Sequence, residues 1–310
     1  MTRLLVLALN PSIDVEWRVP EVQWEEKNQI LSQRRWAGGK GINVARWIKH
    51  LGVRPQLIVP LGGASGREME EWLQAERFAM KVIPIAEETR TNYIVSVARG
   101  GQLRFNPTGP RLSRNEWANI YQVTDAELRE TDLLILSGSL PCGLSAATYR
   151  SLVRRAHYRG VKTVLDCDGA ALASAVLSKP FLIKPNLPEL AHWHQRTLHS
   201  EGEIREAALA MSRVTQNWIL VSLGEKGGLL VNAHENAELW ASPPKIEVEN
   251  TVGAGDALVA AVAIRIADRA PHSEWLRCGV GAGASAAECG PGAVPAKSGL
   301  LYALSRVVLR

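Results

Sequence analysis

Short apolar runs alternate with longer helical patterns along most of this 310-residue chain. The apolar runs are brief and bounded by turn residues, as buried strands are. They lie at Leu4–Leu9, Gln56–Leu61, Asp132–Ser137, Val161–Leu165, Phe181–Ile183 and Trp218–Ser222. Apolar residues at helical spacing predict helices at Gly41–Leu51, Ser145–Tyr158 and Glu203–Val214. The alternation predicts an α/β fold in which helices cover both faces of a mainly parallel sheet.

Two segments, Val15–Trp36 and Thr91–Phe105, break this alternation, since apolar and polar residues alternate in them with few helix signals. Within the second segment, Asn92–Val97 and Gln102–Phe105 flank a Gly-Gly pair, which is typical of a β-hairpin. We predict that both segments form a small β-sheet lid within a single domain spanning residues 1–310. A half-exposed sheet is also a natural dimer surface. The alternative is that these strands are edges of the main sheet.

Composition and charge argue against several classes of protein. Hydrophobic residues make up 46% of the chain and charged residues 22%, as in an ordinary globular protein. No apolar stretch reaches the roughly 18 residues that span a membrane, and Asn10-Pro11 follows the first apolar run in place of a signal-peptide cleavage site. The net charge of +5 comes from dispersed basic residues, so we expect no nucleic-acid partner. A mild basic excess instead suits an enzyme with phosphorylated ligands.

The four cysteines, Cys142, Cys167, Cys278 and Cys289, include no pair at the spacing of a zinc or redox motif. The seven histidines show no metal-ligand spacing either. We therefore expect free thiols in a reducing compartment, and a cytoplasmic location.

An acid follows a run of small residues near the end of the chain. Gly253, Ala254 and Gly255 allow a tight backbone turn, and Asp256 then precedes the apolar run Ala257–Ala263, which predicts a buried helix. A helix N-terminus offers unpaired N–H groups and the positive end of a dipole, which suit a phosphoryl group. A carboxylate at that same end can accept a proton from a hydroxyl. The pattern predicts phosphoryl transfer onto an alcohol.

Two motifs near the N-terminus suggest a sugar site. Asp14 follows the first predicted strand, at the sheet edge where ligands bind, and is a candidate acceptor for sugar hydroxyls. An Asp after Asn-Pro-Ser is also a common turn former. The loop Gly38–Gly41 opens a predicted helix and lets a backbone approach a ligand closely, but it lacks the spacing of a Walker A loop or a dinucleotide fingerprint. Considered alone, the loop is better explained as a tight turn with a helix cap.

Three cations are candidates for binding a substrate phosphate. Arg90 lies just before the predicted hairpin, and Arg104 lies on its returning strand. Two guanidinium groups on paired strands can hold a phosphate, and Lys27 is a third candidate. For each of the three, a solvated surface charge is the alternative.

Loops that follow predicted strands suggest further ligand contacts. The loop Ser137–Pro141 is one, and the glycine-rich turn Ser222–Gly228 suits backbone contact with a nucleotide. Asn186 and Glu189 can face a nucleotide's Mg²⁺ through water. The same two residues would equally well form a helix N-cap with an acidic first turn.

These motifs occur together, and in this order, in one family. They lie at Leu9–Asp14, Gly38–Arg46, Thr89–Asn92, Ser137–Pro141, Lys184–Asn186, Val221–Gly224 and Thr251–Asp256. The chain resembles the phosphofructokinase B branch of the ribokinase-like sugar kinases. The match is to the phosphohexose subgroup of 1-phosphofructokinases, tagatose-6-phosphate kinases and minor 6-phosphofructokinases. Lys40 occurs in the first two of these, and the stretch Leu165–Gly169 looks closer to the second.

The resemblance implies a three-layer α/β/α sandwich with a β-sheet lid, and a homodimer formed through that lid. It implies that Asp256 is the catalytic base and that the amides of Gly253, Ala254 and Gly255 form an anion hole. The implied substrate-binding residues are Asp14, Lys27, Gly38, Gly39, Lys40, Asn43, Arg90, Arg104 and Ser139.

The same resemblance implies ATP, Mg²⁺ and a monovalent cation such as K⁺ as cofactors. The implied ATP-binding residues are Lys184, Asn186, Ser222, Gly224, Gly227 and Gly283. Asn186 and Glu189 would face Mg²⁺ indirectly, and Asn250 and Val252 match cation-binding positions. The segment Glu288–Gly292 departs from the family pattern, so the rest of the cation site is not defined by it.

We therefore expect ATP-dependent phosphorylation of a hexose monophosphate, with fructose 1-phosphate converted to fructose 1,6-bisphosphate as the leading candidate. 6-Phosphofructokinase and tagatose-6-phosphate kinase activities are close alternatives. A nucleoside or ribose kinase and a non-catalytic sugar-phosphate sensor are the competing hypotheses. The intact Asp256 and the glycine turn before it argue against a sensor.

Overall fold

The computed structural model describes residues 2–98, 100–290 and 292–310. The strands are β1 (Leu4–Leu7), β2 (Ser12–Val19), β3 (Ser32–Gly38), β4 (Gln56–Leu61), β5 (Ala79–Pro84), β6 (Arg90–Val97), β7 (Gln102–Phe105), β8 (Leu133–Ser137), β9 (Lys162–Asp166), β10 (Leu182–Ile183), β11 (Trp218–Ser222), β12 (Gly228–Asn232), β13 (Ala237–Ser242) and β14 (Val308–Leu309). The helices are α1 (Lys40–His50), α2 (Gly63–Ala75), α3 (Arg114–Glu127), α4 (Thr148–Tyr158), α5 (Gly169–Val176), α6 (Leu187–His194), α7 (Glu201–Thr215), α8 (Ala254–Ala267), α9 (His272–Ala287) and α10 (Lys297–Ser305).

The larger sheet has the order β14-β13-β12-β11-β10-β9-β8-β1-β4-β5. Every pairing from β5 through β11 is parallel. All six strands predicted for this sheet are confirmed, and β4 and β11 have the predicted bounds. The prediction missed the parallel edge strand β5 and the antiparallel extension of β12, β13 and β14. Antiparallel neighbours such as β11, β12 and β13 need only short turns, so they interrupt the strand–helix alternation.

Helices cover both faces of this sheet. In β1, Leu4 and Val6 join one core, whereas Leu5 and Leu7 join the other, as the two-residue period of a strand requires. The first core lies against α1, α2, α8, α9 and α10, and the second against α3, α4, α5, α6 and α7. The predicted three-layer α/β/α arrangement is therefore confirmed.

A second sheet of four strands has the order β3-β2-β6-β7. The β2–β3 and β6–β7 pairs are antiparallel, and β2 pairs with β6 in parallel. The predicted hairpin is confirmed as β6 and β7, and these strands are not edges of the main sheet. The sheet begins earlier than predicted, at Ser12, so that Asp14 lies within β2.

No helix among the described residues is both long and apolar enough to cross a membrane.

The contact between α8 and α9 depends on a glycine. A Cβ at Gly279 of α9 would lie 2.7 Å from Val262 Cγ2 and 3.2 Å from Leu258 Cγ, both on α8. Val262 has little rotamer freedom to move aside. This close approach brings α8, which carries Asp256, against the rest of the helical layer.

We predict that Gly279→Ala lowers the free energy of unfolding by about 1–3 kcal/mol through overpacking. The matched control is Gly299→Ala in α10, where an added Cβ would meet nothing within 4 Å. That substitution should raise the free energy of unfolding by about 0.5–1 kcal/mol, since alanine is the better helix former. Urea unfolding of both variants checks the pair, and equal effects would contradict the packing argument.

Candidate active site

The start of α8 lies at the carboxyl edge of the large sheet. Gly253 caps the helix with φ 87°, a left-handed conformation that glycine adopts without strain. The apolar run after Asp256 is buried on all sides, as predicted. The turn therefore leaves the first amides of α8 unpaired within the helix, beside an acid in its first turn.

Asp256 is itself buried, with 5% of its surface exposed. Asn43 Nδ2, on α1, donates to Asp256 Oδ2 at 2.8 Å. Burial, and then the negative charge of Asp166, raise the pKa of Asp256 to about 6, although Lys40 and Lys184 oppose the shift. A carboxyl group with this pKa is poised to take up a proton near neutral pH.

Asp14 is the second buried acid of the site. Its Oδ1 accepts from Ser12 Oγ at 2.7 Å and from Asn92 Nδ2 at 2.8 Å. Burial raises the pKa of Asp14, while these donors and Arg90 oppose the shift. A Cβ at Gly38 would lie 2.1 Å from Asp14 Oδ2, so only glycine fits beside this carboxylate.

The glycine loop lets α1 begin against the central strand. Gly39 has φ 91°, and a Cβ at Gly41 would lie 2.6 Å from Ala8 Cβ. This close packing brings Asn43, in the first turn of α1, to Asp256. Asp14, Asn43 and Gly253 line one cleft. The loop thus has a packing role of its own, in addition to the ligand contact predicted from the sequence.

Asn10 links two of the predicted substrate residues. Its Nδ2 donates to Ser139 Oγ at 3.0 Å and to Thr108 O at 2.9 Å. Its carbonyl accepts from Arg90 Nη2 at 2.9 Å, and Arg90 Nη1 donates to Pro107 O. Sequence reasoning missed Asn10, as it missed Asn92, although both lie inside the recognised motifs. A polar side chain directly after a buried strand was the available signal.

The structure does not bring Lys27 and Arg104 to this group of residues. Arg104 is exposed and pairs in register with Ile94, four residues along β6 from Arg90, which is roughly 13 Å at the rise of a strand. Lys27 lies in the exposed connection between β2 and β3, beyond the Arg18–Ser32 pair. Within one chain, only Arg90 of the three predicted cations lies beside the cleft.

A third buried acid, Asp166 at the end of β9, holds two lysines. Its Oδ1 lies 3.3 Å from Lys40 Nζ and 3.2 Å from Lys184 Nζ. Burial alone would raise the pKa of Asp166, but the charges of Lys184 and Lys40 outweigh it and hold that pKa below its ordinary value. Asp166 was noticed in the sequence only as part of a subgroup motif. Its position at the end of a buried strand would have marked it.

Asn186 and Glu189 form the helix cap that was the alternative prediction for them. Glu189 N donates to Asn186 Oδ1 at 2.8 Å, and Asn186 N donates to Glu189 Oε2 at 2.9 Å. Glu189 Oε1 also lies 3.9 Å from Lys40 Nζ. The cap therefore holds the Glu189 carboxylate toward the cluster of charges formed by Asp166, Lys40 and Lys184. Oxygen ligands of this kind fit Mg²⁺ held through water.

The predicted nucleotide turn joins β11 to β12. Gly224 and Gly227 have positive φ, and Leu223 N donates to Gly227 O at 2.9 Å. A Cβ at Gly227 would lie 1.9 Å from Ala241 O, so this position requires glycine. Ser222 pairs with Asn186 across the sheet edge, which makes the two predicted nucleotide loops adjacent. Gly283 lies instead within α9 and packs against the start of α8, where a Cβ would be 3.2 Å from Ala254 O.

The loop before α8 contains polar atoms that suit a cation. Val252 N donates to Asn250 Oδ1 at 3.1 Å, and Asn250 N donates to Ala287 O. Ser285 Oγ is buried and has no hydrogen-bond partner among the described residues. The side-chain oxygen of Asn250 and the carbonyl oxygen of Ala287 are ligands of the kind that a monovalent cation takes. Pro291, in the segment that departs from the family pattern, lies outside the described residues.

Ionisation of Asp256 should lower the free energy of unfolding of the protein. The pKa of about 6 in the folded state exceeds the ordinary value of 3.8, so stability falls as the pH rises through about 6. We predict that Asp256→Asn raises the free energy of unfolding at pH 8 by about 3 kcal/mol, from roughly 1.4 kcal/mol per pKa unit, and leaves it nearly unchanged at pH 4. Asp166→Asn should have the opposite sign at pH 8, because the folded-state pKa of Asp166 is lowered. Urea unfolding at both pH values checks the two signs.

Comparison with known proteins supports one family. The model of the "pfkB family carbohydrate kinase" matches residues 2–297. ATP-dependent 6-phosphofructokinase isozyme 2 of Escherichia coli K12 is 34% identical over 289 residues, which cover 92% of this chain and 93% of the relative. A tagatose-6-phosphate kinase of Staphylococcus epidermidis is 33% identical over 280 residues, or 88% of each chain.

A solved structure agrees with the sequence relatives. Phosphofructokinase-2 from Escherichia coli in complex with potassium superposes with a TM-score of 0.91 at 31% identity, over 98% of this chain and 99% of that chain. The family resemblance stated from the motifs is thus confirmed. With a family match over nearly all of its residues and the start of α8 built around a buried acid, the chain belongs to the pfkB family of carbohydrate kinases.

Proposed function

We propose that this kinase transfers the γ-phosphoryl group of ATP to a primary hydroxyl of a hexose monophosphate, with Asp256 as general base. The observation that carries the proposal is the buried carboxylate of Asp256 at the N-terminus of α8, bonded to Asn43 and facing the Lys40–Lys184 cluster. The acid thus lies beside the first amides of α8, of which only that of Ala254 has a partner among the described residues, a 3.4 Å contact with Thr251 O. A hydroxyl placed there can lose its proton and meet a phosphoryl group in the same step.

Asp256 takes the proton from the attacking hydroxyl oxygen as that oxygen bonds to the γ-phosphorus. The bond from that phosphorus to the bridging oxygen breaks, and ADP leaves with the electron pair. The amides of Gly253, Ala254 and Gly255, together with the helix dipole, stabilise the negative charge on the transferred group. Lys184 adds a cation at the same place, since a Cβ at Gly255 would be 3.8 Å from its Nζ. Most of the acceleration then comes from positioning and electrostatics.

The nucleotide is assigned to the loops that carry Lys184, Ser222, Gly224 and Gly227. Mg²⁺, when bound with ATP, neutralises phosphate charge, and Asn186 and Glu189 would hold it through water. A monovalent cation would be held by Asn250 and Val252. Gly283 lines the nucleotide side through its contact with the first turn of α8.

The sugar phosphate is assigned to the cleft beside the lid. Asp14 and Asn43 would bind hydroxyl groups, and Gly38 and Gly39 would contact the sugar through their backbone. Arg90 and Ser139, joined through Asn10, would bind the phosphate. The relatives above 30% identity are named for fructose 6-phosphate and tagatose 6-phosphate, which favours these two substrates. Fructose 1-phosphate, the leading candidate from the sequence, stays a prediction.

A coupled ATP-consumption assay against a panel of hexose monophosphates, free sugars and nucleosides tests the function. We expect turnover with a hexose monophosphate, rising with pH through about 6 as Asp256 ionises, and a loss of at least about 10²-fold in kcat for Asp256→Asn. Near wild-type turnover of that variant would rule out Asp256 as the base. Tight binding of a sugar phosphate without turnover would indicate a non-catalytic sensor. Turnover of ribose or of a nucleoside, without turnover of any hexose monophosphate, would indicate a ribose or nucleoside kinase.

Large apolar side chains are exposed on the lid, among them Trp24, which is 78% exposed, Leu31 and Phe105. Exposed apolar groups of this kind are typical of protein interfaces. We infer that the lid is a dimer interface. A second copy seated on it would bring Lys27, too remote from the cleft of its own chain, toward the cleft of its partner. Arg104, on the edge strand β7, would face the same interface.

Complementation between inactive chains tests this assembly. Chains carrying Lys27→Ala are co-expressed with chains carrying Asp256→Asn. If Lys27 acts on the site of its partner, each mixed dimer has one intact site. About half of the dimers are mixed, so about a quarter of wild-type turnover should return at low sugar-phosphate concentration. Each variant alone should remain impaired. If Lys27 acts within its own chain, the mixture will show no gain. Sedimentation of Leu31→Asp, expected to be monomeric, controls for the interface.

A further inference from the structure

Asp166 is the most completely enclosed charge beside the start of α8, with 1% of its side chain exposed. It ends β9, between β8 and β10, near the middle of the large sheet. Lys40 Nζ and Lys184 Nζ both lie within 3.3 Å of its Oδ1, and Ser137 Oγ donates to its Oδ2 at 3.3 Å. Its carbonyl accepts from Gly138 N at 2.9 Å. The two ammonium groups and the Ser137 hydroxyl therefore favour the ionised form of this side chain.

Lys40 and Lys184 are stabilised in their positions by the negative charge of Asp166. Lys184 has 4% of its side chain exposed, and an ammonium group loses hydration when it is buried. Both lysines also face the N-terminus of α8, whose dipole is positive at that end and repels cations. Without a nearby anion the ammonium groups would turn away from the helix. Asp166 opposes that tendency by ion pairing at 3.2 Å and 3.3 Å.

Stability alone does not explain such a cluster. Replacing a buried ion pair by apolar groups of similar volume is often neutral or stabilising, so buried pairs are weak evidence for a purely structural role. Lys40 also connects α1, which carries Asn43, with Glu189 of the nucleotide side at 3.9 Å. The cluster thus lies between the sugar-binding and nucleotide-binding parts of the site.

We propose that Asp166 is a positioning residue that holds the ammonium groups of Lys184 and Lys40 at the point of phosphoryl transfer. This inference rests on the proposed function of Asp256 and the α8 amides. Asp166 touches neither the sugar nor the base. It acts through the two lysines, which interact with the incoming phosphates of the nucleotide.

The test is Asp166→Asn, which keeps the shape of the side chain and removes the charge. We expect kcat to fall by about 10²-fold, the loss typical of misplaced groups, and the Kd of a non-hydrolysable ATP analogue to rise about tenfold. The Kd of the sugar phosphate, measured by calorimetry without nucleotide, should stay within about threefold, since Lys40 is the one predicted substrate-binding residue that contacts Asp166.

The chain offers a matched control in Asp125 on α3. Its carboxylate also binds two cations, Arg155 at 2.5 Å and Arg159 at 3.0 Å, but on the outer helical layer. Asp125→Asn should lower thermal stability and leave kcat and the analogue Kd unchanged. Equal losses of kcat in both variants would mean that Asp166 is merely structural.

A double-mutant cycle identifies the lysine through which Asp166 acts. If Asp166 works through Lys184, Lys184→Met should cost much less kcat in the Asp166→Asn background than in the wild type. The same cycle with Lys40→Met measures how much of the kcat loss of Asp166→Asn depends on Lys40. Additive losses of kcat in both cycles would overturn the proposal. Should Asp166→Asn fail to fold, Asp166→Glu keeps the charge but displaces both ammonium groups, and an unchanged kcat in that variant would overturn it.

These outcomes are distinct from failure of the proposed function. A wild-type protein that turns over no sugar phosphate would reject the proposed function itself. A wild-type protein that turns over normally, with an equally active Asp166→Asn variant, would reject only the role of Asp166.

Discussion

The buried start of α8 is the constraint on which the rest of the site depends. Burial raises the pKa of Asp256 to about 6, so this acid destabilises the fold whenever it is ionised. This destabilisation is limited by Asn43, which donates a hydrogen bond to the carboxylate, and by the nearby ammonium groups of Lys40 and Lys184. Those cations in turn require Asp166. Each charge is tolerated because another charge of opposite sign lies beside it, and the proposed phosphoryl transfer would take place beside this balanced cluster.

The topology of the sheet explains how these groups meet. Parallel strands place their carboxyl ends along one edge, so residues that follow β9 and β10 become neighbours there. Asn43 and Asp256 are 213 residues apart in the chain, and α1 packs directly against α8. The lid adds Asp14 and Asn92 from β2 and β6, which pair in register. The cleft is therefore closed on one side by the core and on the other by the second sheet.

Much of this architecture was predictable because its signals are local. The six predicted strands of the large sheet were recognised from short apolar runs, and the β6–β7 hairpin from its glycine pair. The turns at Gly253 and Gly227 were likewise recognised from their glycines, and both residues have positive φ in the structure. Side-chain partners across the sheet edge have no such signal. Asn10 and Asp166 were missed as site residues although each lies at the end of a buried apolar run, whereas Asn92 is brought to Asp14 only by the pairing of β2 with β6.

The sequence by itself determined the fold class, the order of the motifs and the presence of an acid after a glycine turn, since periodicity and turn chemistry act over a few residues. Only the tertiary structure decided which charges share the site. It brought Arg90 to the cleft and left Arg104 and Lys27 on the exposed lid, because strand register sets distance in a sheet. It also set the raised pKa of Asp256, since burial and neighbouring charges exist only after the chain has folded.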